Sequence, residues 1–397
     1  FDKHPALKYQ GQNLLIFRTL AAKLSTMGIV MAIISMIFTA TILTEGSGLV
    51  MNGIFRGRSA ENSCFDLYFA IEGEDQDPNP YLEYIAEHIA VDQSVLYQVY
   101  LTDSPTVRDY IESQTVYYYY NYDQDPILRW SDYAVLRSIA GYPAVEPEPG
   151  RYLIHCMTYL QDSLRNYGQP VTLGNITLSP GSVYTEHLSQ SFGVANGRGY
   201  ILVVPDEAVD GLAVHHLAYA AKTVQPVSAV QYDALTDIAV IEYNKQENPT
   251  NYAFVSTKAN EDAQVAVQTA LLVFPLFYLA LALTMTAATI LTIQQLSETD
   301  RYRRQFALLR KLGMARREMA HALGRQFAIY YAMPAVPPVL IAAPFIFHLA
   351  RTPEPGVMVG MNSPIVIVAV SLGLFFLIYA IYILLAYTSL KRNVLSK

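Results

Sequence analysis

The sequence predicts a membrane protein with four transmembrane α-helices and a large α+β extracellular domain inserted between the first and second spans. Three observations carry that prediction. Four runs contain no Asp, Glu, Lys or Arg: Leu24 to Thr44, Ala263 to Ser297, Gln326 to Ala350 and Pro355 to Leu390. Each reaches roughly the 20 residues that cross about 30 Å of hydrocarbon as a helix. Lys and Arg cluster beside the ends of these runs, and the stretch between the first two is acidic, polar and strand-like.

Residues 1–23 carry Lys3, Lys8, Arg18 and Lys23. Leu14, Leu15, Phe17 and Leu20 share one helical face, so this segment reads either as an amphipathic helix on the inner membrane surface or as an extension of the first span. The chain opens on Phe1, without a short apolar leader ending in a small-residue cleavage site, and the expectation is a chain that begins within a longer protein. The first span is placed at 24–46.

The outer domain is placed at 47–262; the stretch from Glu45 to Asp262 holds 11 basic and 29 acidic residues, a formal −18, while the remainder carries +11 of the total −7. Such a surplus keeps a solvated domain soluble, or sets up a field that attracts a cationic ligand. Strands are predicted at Cys64 to Ile71, Val95 to Leu101, Val116 to Tyr122, Tyr152 to Cys156, Tyr200 to Val204 and Ile238 to Tyr243. Helices are predicted at Tyr81 to Ile89, after Pro80, and at Asp132 to Ile139, with Ser131 as cap and Gly141 as terminator. The tyrosine run Tyr117 to Tyr120 with Tyr122 is read first as a half-buried strand. Its functional reading uses Tyr118 and Tyr120 with Asp123 and Asp125 to hold an amphipathic cation by stacking and cation–π contact. Cys64 and Cys156 lie about ninety residues apart outside any Cys-x-x-Cys pattern, so free thiols are slightly favoured over a bridge. His215 and His216 are adjacent, which on a regular strand points them apart and argues against a metal pair.

The second span is placed at 263–294, a hairpin at 295–325, the third span at 326–350, a short external loop at 351–361, the fourth span at 362–388 and a tail at 389–397. Lys and Arg concentrate in the first segment, the hairpin and the tail, which the positive-inside rule makes cytoplasmic. No acidic or basic residue is read inside the core of a span except near the ends, which argues against an ion-driven transporter. Pro334, Pro337, Pro338 and Pro344 interrupt the third span and require neighbouring helices to satisfy the freed carbonyls. Gly28, Ala32, Ser371 and Gly373 offer close helix contacts.

No Gly-x-x-x-x-Gly-Lys-Ser/Thr phosphate loop, Gly-x-Ser-x-Gly elbow or His-Glu-x-x-His helix occurs, so nucleotide, acyl-transfer and zinc-protease chemistry find no familiar motif here. In the hairpin, Ser297 to Leu312 reads as a helix, Gly313 as its left-handed stop, and Ala315 to Tyr331 as a second helix. Phe306, Leu309, Leu312 and Met314 are spaced to pack inside it or into a partner's groove.

The stretch Arg304-Gln-Phe-Ala-Leu-Leu-Arg310-Lys311-Leu-Gly313-Met314-Ala-Arg316-Arg317-Glu318, directly after a span, resembles the signature of the FtsX-like ABC transporter permeases. The layout of one span, a large outer domain and three spans is similar too. Within that family the chain looks most like the carboxy-terminal half of the bacitracin-export, BceB-type permeases of Gram-positive bacteria, with support from Lys8-Tyr-Gln-Gly-Gln-Asn-Leu-Leu and Leu296-Ser297-Glu298. Across the outer domain only Ser131 to Gly141 and Val203-Val204-Pro205-Asp206 look familiar.

The resemblance implies a non-catalytic permease subunit in a bacterial plasma membrane that binds no cofactor itself and uses ATP through a separate ABC ATP-binding subunit. The implied coupling residues are Glu298, Arg304, Arg310, Lys311, Gly313, Met314, Arg316 and Arg317. Implied partners are that ATPase, a membrane histidine kinase, a cationic peptide or lipid-linked cell-wall ligand, and membrane lipids, with no nucleic acid. The implied role is mechanotransmission in antimicrobial peptide sensing, resistance or export. The alternatives are a four-span cell-division or lipoprotein-release relative working as a homodimer on a wall hydrolase or lipid, and a membrane receptor without an ATPase.

Overall fold

The computed structural model describes residues 13–73, 76–102, 106–114, 123–190, 199–246, 252–311, 313–351 and 364–395. They fall into two compact units, one of helices (described residues within 13–52, 269–351 and 364–395) and one built on a sheet (described residues within 53–268).

Among the described residues, four helices are long and apolar enough to cross a membrane: Gly28–Gly57, Lys258–Lys311, Arg316–Arg351 and Pro364–Asn393. Helix α1 (Asn13–Asn62) is continuous, so the chain is helical from Asn13 into the first apolar run. Apolar side chains point outward along these helices, with Ile29 80% exposed and Leu340 70% exposed. A water-soluble surface rarely carries that much exposed apolar area, whereas lipid accepts it.

Inside the helical unit, Phe38 of α1 packs edge-on against Phe375 and Tyr379, at 5.1 and 4.9 Å between ring centroids, in α11 (Pro364–Leu395). Close helix contact occurs at Gly46, where an added Cβ would fall on the Ile346 side chain. It does not occur at Gly28 or Gly373, where the space around an added Cβ is open. Helix α1 runs on past residue 46, and Glu45 within it is only 3% exposed.

The proline-rich span divides as its chemistry requires. Helix α9 (Arg316–Ala332) ends in a 3₁₀ turn over Met333–Ala335, and α10 (Val336–Arg351) follows. Pro338 has no N–H to give the Pro334 carbonyl. The Ser35 hydroxyl donates to that carbonyl instead, at 2.8 Å, which is the repair from a neighbouring helix that the prolines demand. Similarly, Pro275 removes a donor just after α7 (Lys258–Gln268), and the helix widens to π geometry over Thr269–Val273 before α8 (Phe274–Lys311).

The other unit is a mixed nine-stranded sheet: β1 (Leu67–Glu72), β2 (Val91–Leu101), β3 (Pro126–Arg129), β4 (Arg151–Cys156), β5 (Val171–Leu173), β6 (Ile176–Tyr184), β7 (Tyr200–Val204), β8 (Val214–Thr223) and β9 (Tyr252–Thr257). Their order across the sheet is β5-β6-β4-β7-β3-β2-β8-β1-β9. The β3–β7 and β4–β6 pairs are parallel and the others antiparallel. The inner strands are buried on both faces. In β7, Tyr200, Leu202 and Val204 enter one core cluster and Ile201 and Val203 another. Short helices α2 (Asn79–His88), α3 (Thr106–Gln114), α4 (Trp130–Ile139), α5 (Gln161–Arg165) and α6 (Ala229–Asn244) complete the unit. Cys156 belongs to the cluster on one side and Cys64 packs against the other, and both thiols are free.

Two local expectations change. Ile238 to Tyr243 is helical, because Ser228 and Gln231 form a reciprocal cap that nucleates α6. Helix α4 begins at Trp130 without a side-chain cap of its own, so Ser131 lies inside it. Its N-terminus is instead met from across the fold, by the Asp206 carboxylate accepting from the Ser131 N–H at 3.0 Å. The two familiar-looking segments of this domain therefore meet. The predicted strand Val116 to Tyr122 lies outside the described residues.

Candidate functional site

The strongest candidate is the hairpin between α8 and α9. Helix α8 runs unbroken for 38 residues from the apolar run to Lys311, about 57 Å of rigid rod at 1.5 Å per residue. It stops by the mechanism the sequence predicts. Gly313 adopts φ +90°, its N–H bonds the Arg310 carbonyl at 3.1 Å, and the Met314 N–H bonds the Leu309 carbonyl at 3.2 Å. This pair of bonds is the Schellman closure, which satisfies carbonyls that the helix end leaves open. Helix α9 then starts at Arg316, where the Glu318 carboxylate accepts from the Ala315 N–H at 3.2 Å. Ala315 has no side-chain acceptor, so only half of a capping box exists.

The sequence-nominated residues separate into two groups. Arg304, Arg310, Lys311, Gly313, Arg316 and Arg317 are exposed around the turn, with Met314 partly covered. Their cationic charges therefore face outward on a fixed backbone, an arrangement suited to an acidic protein surface. Glu298 is not with them; it is 7% exposed. It lies one helical turn from the buried Gln294 and one from the buried Tyr302 of α8. Phe306 is also buried, and Leu312 lies outside the described residues.

Next to the hairpin, polar side chains cross-link the helices where apolar ones would only pack. The Tyr330 hydroxyl donates to Gln294 at 3.1 Å and the Tyr331 hydroxyl to Gln295 at 2.9 Å. Gln295 donates to the Ala386 carbonyl at 2.8 Å, Tyr379 donates to the Tyr331 carbonyl at 2.7 Å, and Thr292 and Tyr382 share a bond of 3.0 Å. These bonds join α8, α9 and α11 in a low-dielectric setting, where satisfied polar networks fix one arrangement. Gln326 is 2% exposed with neither amide atom hydrogen-bonded among the described residues. The sequence reading missed this network, although its Gln and Tyr residues inside uncharged runs were a visible signal.

In the sheet unit, the proposed aromatic–carboxylate clamp is corrected at Asp125. This carboxylate is fully buried. It accepts from the Thr106, Val107 and Arg108 N–H groups at 2.8, 3.0 and 2.9 Å and from the Tyr200 hydroxyl. It caps α3, and a carboxylate so occupied is not offered to a ligand. Asp123 stays exposed and accepts from Arg108 at 3.1 Å; Tyr118 and Tyr120 lie outside the described residues. A different aromatic and acidic cavity, of about 340 Å³, is lined by Tyr81, Tyr243, Asp77 and Glu242. Lys245 pairs with Glu242 there at 2.6 Å.

Two buried groups are structural. Arg137 donates to the Tyr133 hydroxyl at 3.2 Å and to Glu186 at 2.9 Å. Tyr133 bonds Nδ1 of His155 at 2.9 Å, and Nε2 of His155 bonds the Glu186 carbonyl at 2.8 Å. The ring of bonds is closed with neutral imidazole, since Nε2 needs the proton and Nδ1 the lone pair. Burial pushes His155 down to about 4. Burial also pushes Cys64 and Cys156 up to about 12, so both are inert as thiolate nucleophiles.

No protein-family model matches the sequence, and no curated protein matches it. Among solved structures the chain is similar to two crystal forms of a heavy metal efflux pump. Form I is 10% identical over 81% of this chain and 35% of that chain, with a TM-score of 0.18. Form II is 11% identical over 80% and 36%, with a TM-score of 0.17. The chain spans about a third of that protein's length, and scores this low carry no argument about fold or function.

Proposed function

We propose that this chain is the membrane subunit of an FtsX-like, mechanotransmission-type ABC transporter, in which a separate ATP-binding subunit docks on the α8–α9 hairpin. The single observation that supports it is the Schellman-closed turn at Gly313. It holds Arg310, Lys311, Arg316 and Arg317 outward at the end of a helix continuous with an apolar, membrane-length run. A rigid rod with a fixed cationic tip can transmit displacement, because a push at the turn is not absorbed by a flexible loop. In this reading the hairpin and both termini are cytoplasmic, the sheet unit is extracellular, and nucleotide-driven motion reaches the sheet unit through the spans. The acidic sheet unit suits a cationic peptide ligand, in sensing, resistance or export.

The test is co-purification of an ATP-binding subunit with the chain, followed by ATPase assays on the reconstituted pair. The reading predicts stimulation of hydrolysis by the wild-type chain and its loss on charge reversal at Arg310 and Lys311. A chain that purifies alone, with no ATPase encoded beside it, would replace this reading by a receptor.

A further inference from the structure

The sheet unit contains a constellation that the coupling role does not use. Glu72, the last residue of β1, is the cross-strand partner of His216 on β8. Residues directly opposite in an antiparallel pair share a face, so the carboxylate and the His216 imidazole stand side by side. On its other edge β8 pairs with β2, and the register steps there: His216 faces Val99 while Val214 faces Tyr100. His215 is thus the extra residue of a β-bulge, the device by which a strand re-aims a side chain. The adjacent histidines, which a regular strand would point apart, converge instead. Their Nδ1 atoms are 3.0 Å apart with the rings nearly perpendicular.

The surroundings hold this arrangement in place. Gly73, directly after Glu72, takes φ +123° and turns the chain away from the strand. The Gln76 side chain donates to the Gly73 carbonyl at 2.8 Å and to the His215 carbonyl at 3.0 Å, tying the bulge to the end of β1. Glu72 and His215 are half-buried and His216 is buried, and among the described residues the three offer ligand atoms within 4.8 Å of one another. Two nitrogens on one tetrahedral ion at 2.0–2.1 Å lie about 3.3 Å apart, close to the spacing already present. A small rotation brings the Glu72 carboxylate in as third ligand. A tautomer shift on whichever ring donates the N–H···N bond frees the second lone pair, so both imidazoles stay neutral.

We infer that Glu72, His215 and His216 form a binding site for one divalent transition-metal ion of the zinc class, clamping β1 to β8 and leaving a fourth position open. Two imidazoles and one carboxylate select zinc, copper or nickel over magnesium and calcium, which prefer all-oxygen shells.

The experiment titrates the purified full chain in detergent with Zn²⁺ in chelator-free buffer, by calorimetry and by thermal unfolding. Glu72→Gln and His215→Ala are the informative variants, because both side chains are half-exposed and their loss leaves the core intact. His88→Ala, at an exposed histidine of α2, is the control for surface binding. The expected result is saturable binding of one ion per chain with a rise in melting temperature. Affinity should fall by more than about tenfold in Glu72→Gln and in His215→Ala, remain unchanged in His88→Ala, and persist in excess Mg²⁺. Absence of saturable binding, or binding that survives both substitutions, would overturn the site.

Discussion

Gly313→Ala isolates the backbone geometry of the hairpin from everything around it. Gly313 sits at φ +90° with no atom within 4 Å of where a Cβ would be added, so the alanine methyl clashes with nothing outside its own backbone. The cost is the left-handed conformation alone, roughly 1–2 kcal/mol for an L-residue. If the Schellman turn opens locally, that penalty multiplies the open population by about 5- to 30-fold. Trypsin reads this directly, because Arg310, Lys311, Arg316 and Arg317 flank the turn and are exposed. When reclosing outpaces cleavage, the cutting rate tracks the open fraction. Gly313→Ala in membranes should therefore be cut at the hairpin faster than wild type by about that factor. Gly313→Asn should stay much nearer wild type, since asparagine enters the left-handed region readily. Equal rates for wild type and Gly313→Ala would refute a turn held by glycine geometry.

Other perturbations follow from the same structure. Asp125→Ala strands three helix-end N–H donors, that of Val107 buried, and the Tyr200 hydroxyl, and should cost about 2–5 kcal/mol, read as faster amide exchange in α3; wild-type exchange there would contradict the capping role. Ser35→Ala leaves the Pro334 carbonyl without its donor and should lower stability to unfolding in mixed detergent–SDS micelles by about 1 kcal/mol, with Ser35→Thr restoring it. His155 is neutral in the fold and its value is depressed to about 4. Its contribution is therefore complete above the ordinary histidine value near 6.5 and is lost as pH falls toward 4, by about 3 kcal/mol at most. His155→Gln should flatten the melting temperature across that window, while His216, pushed down by burial to about 3, keeps part of the slope.

Legibility in the sequence tracked how local the cause was. Strands β4 and β7 and the Gly313 stop were readable because apolar run length and glycine chemistry act over a few residues. Helix α2 was readable for the same reason, with Pro80 in its first turn. Helix α6 was misread as a strand at Ile238 to Tyr243 because apolar identity was weighed above the Ser228–Gln231 cap that starts it. The role of Asp125 was hidden because its partners lie up to 75 residues away. The convergence of His215 with His216 depends on a register step against β2, which no periodicity in β8 announces. Glu45 reads as the end of a span because the uncharged run stops at Thr44; helix α1 continues through it to Asn62 and leaves its side chain buried. An ionisable group at that position marks it for functional test.

The proposed function has external power enter through the exposed cations of the hairpin. The most direct measurement is the ATPase rate of the proposed ATP-binding subunit reconstituted with the chain, comparing wild type with the double variant Arg310→Glu, Lys311→Glu. Coupling through the hairpin predicts that the variant inserts and folds normally yet no longer stimulates hydrolysis; stimulation equal to wild type would rule that coupling out.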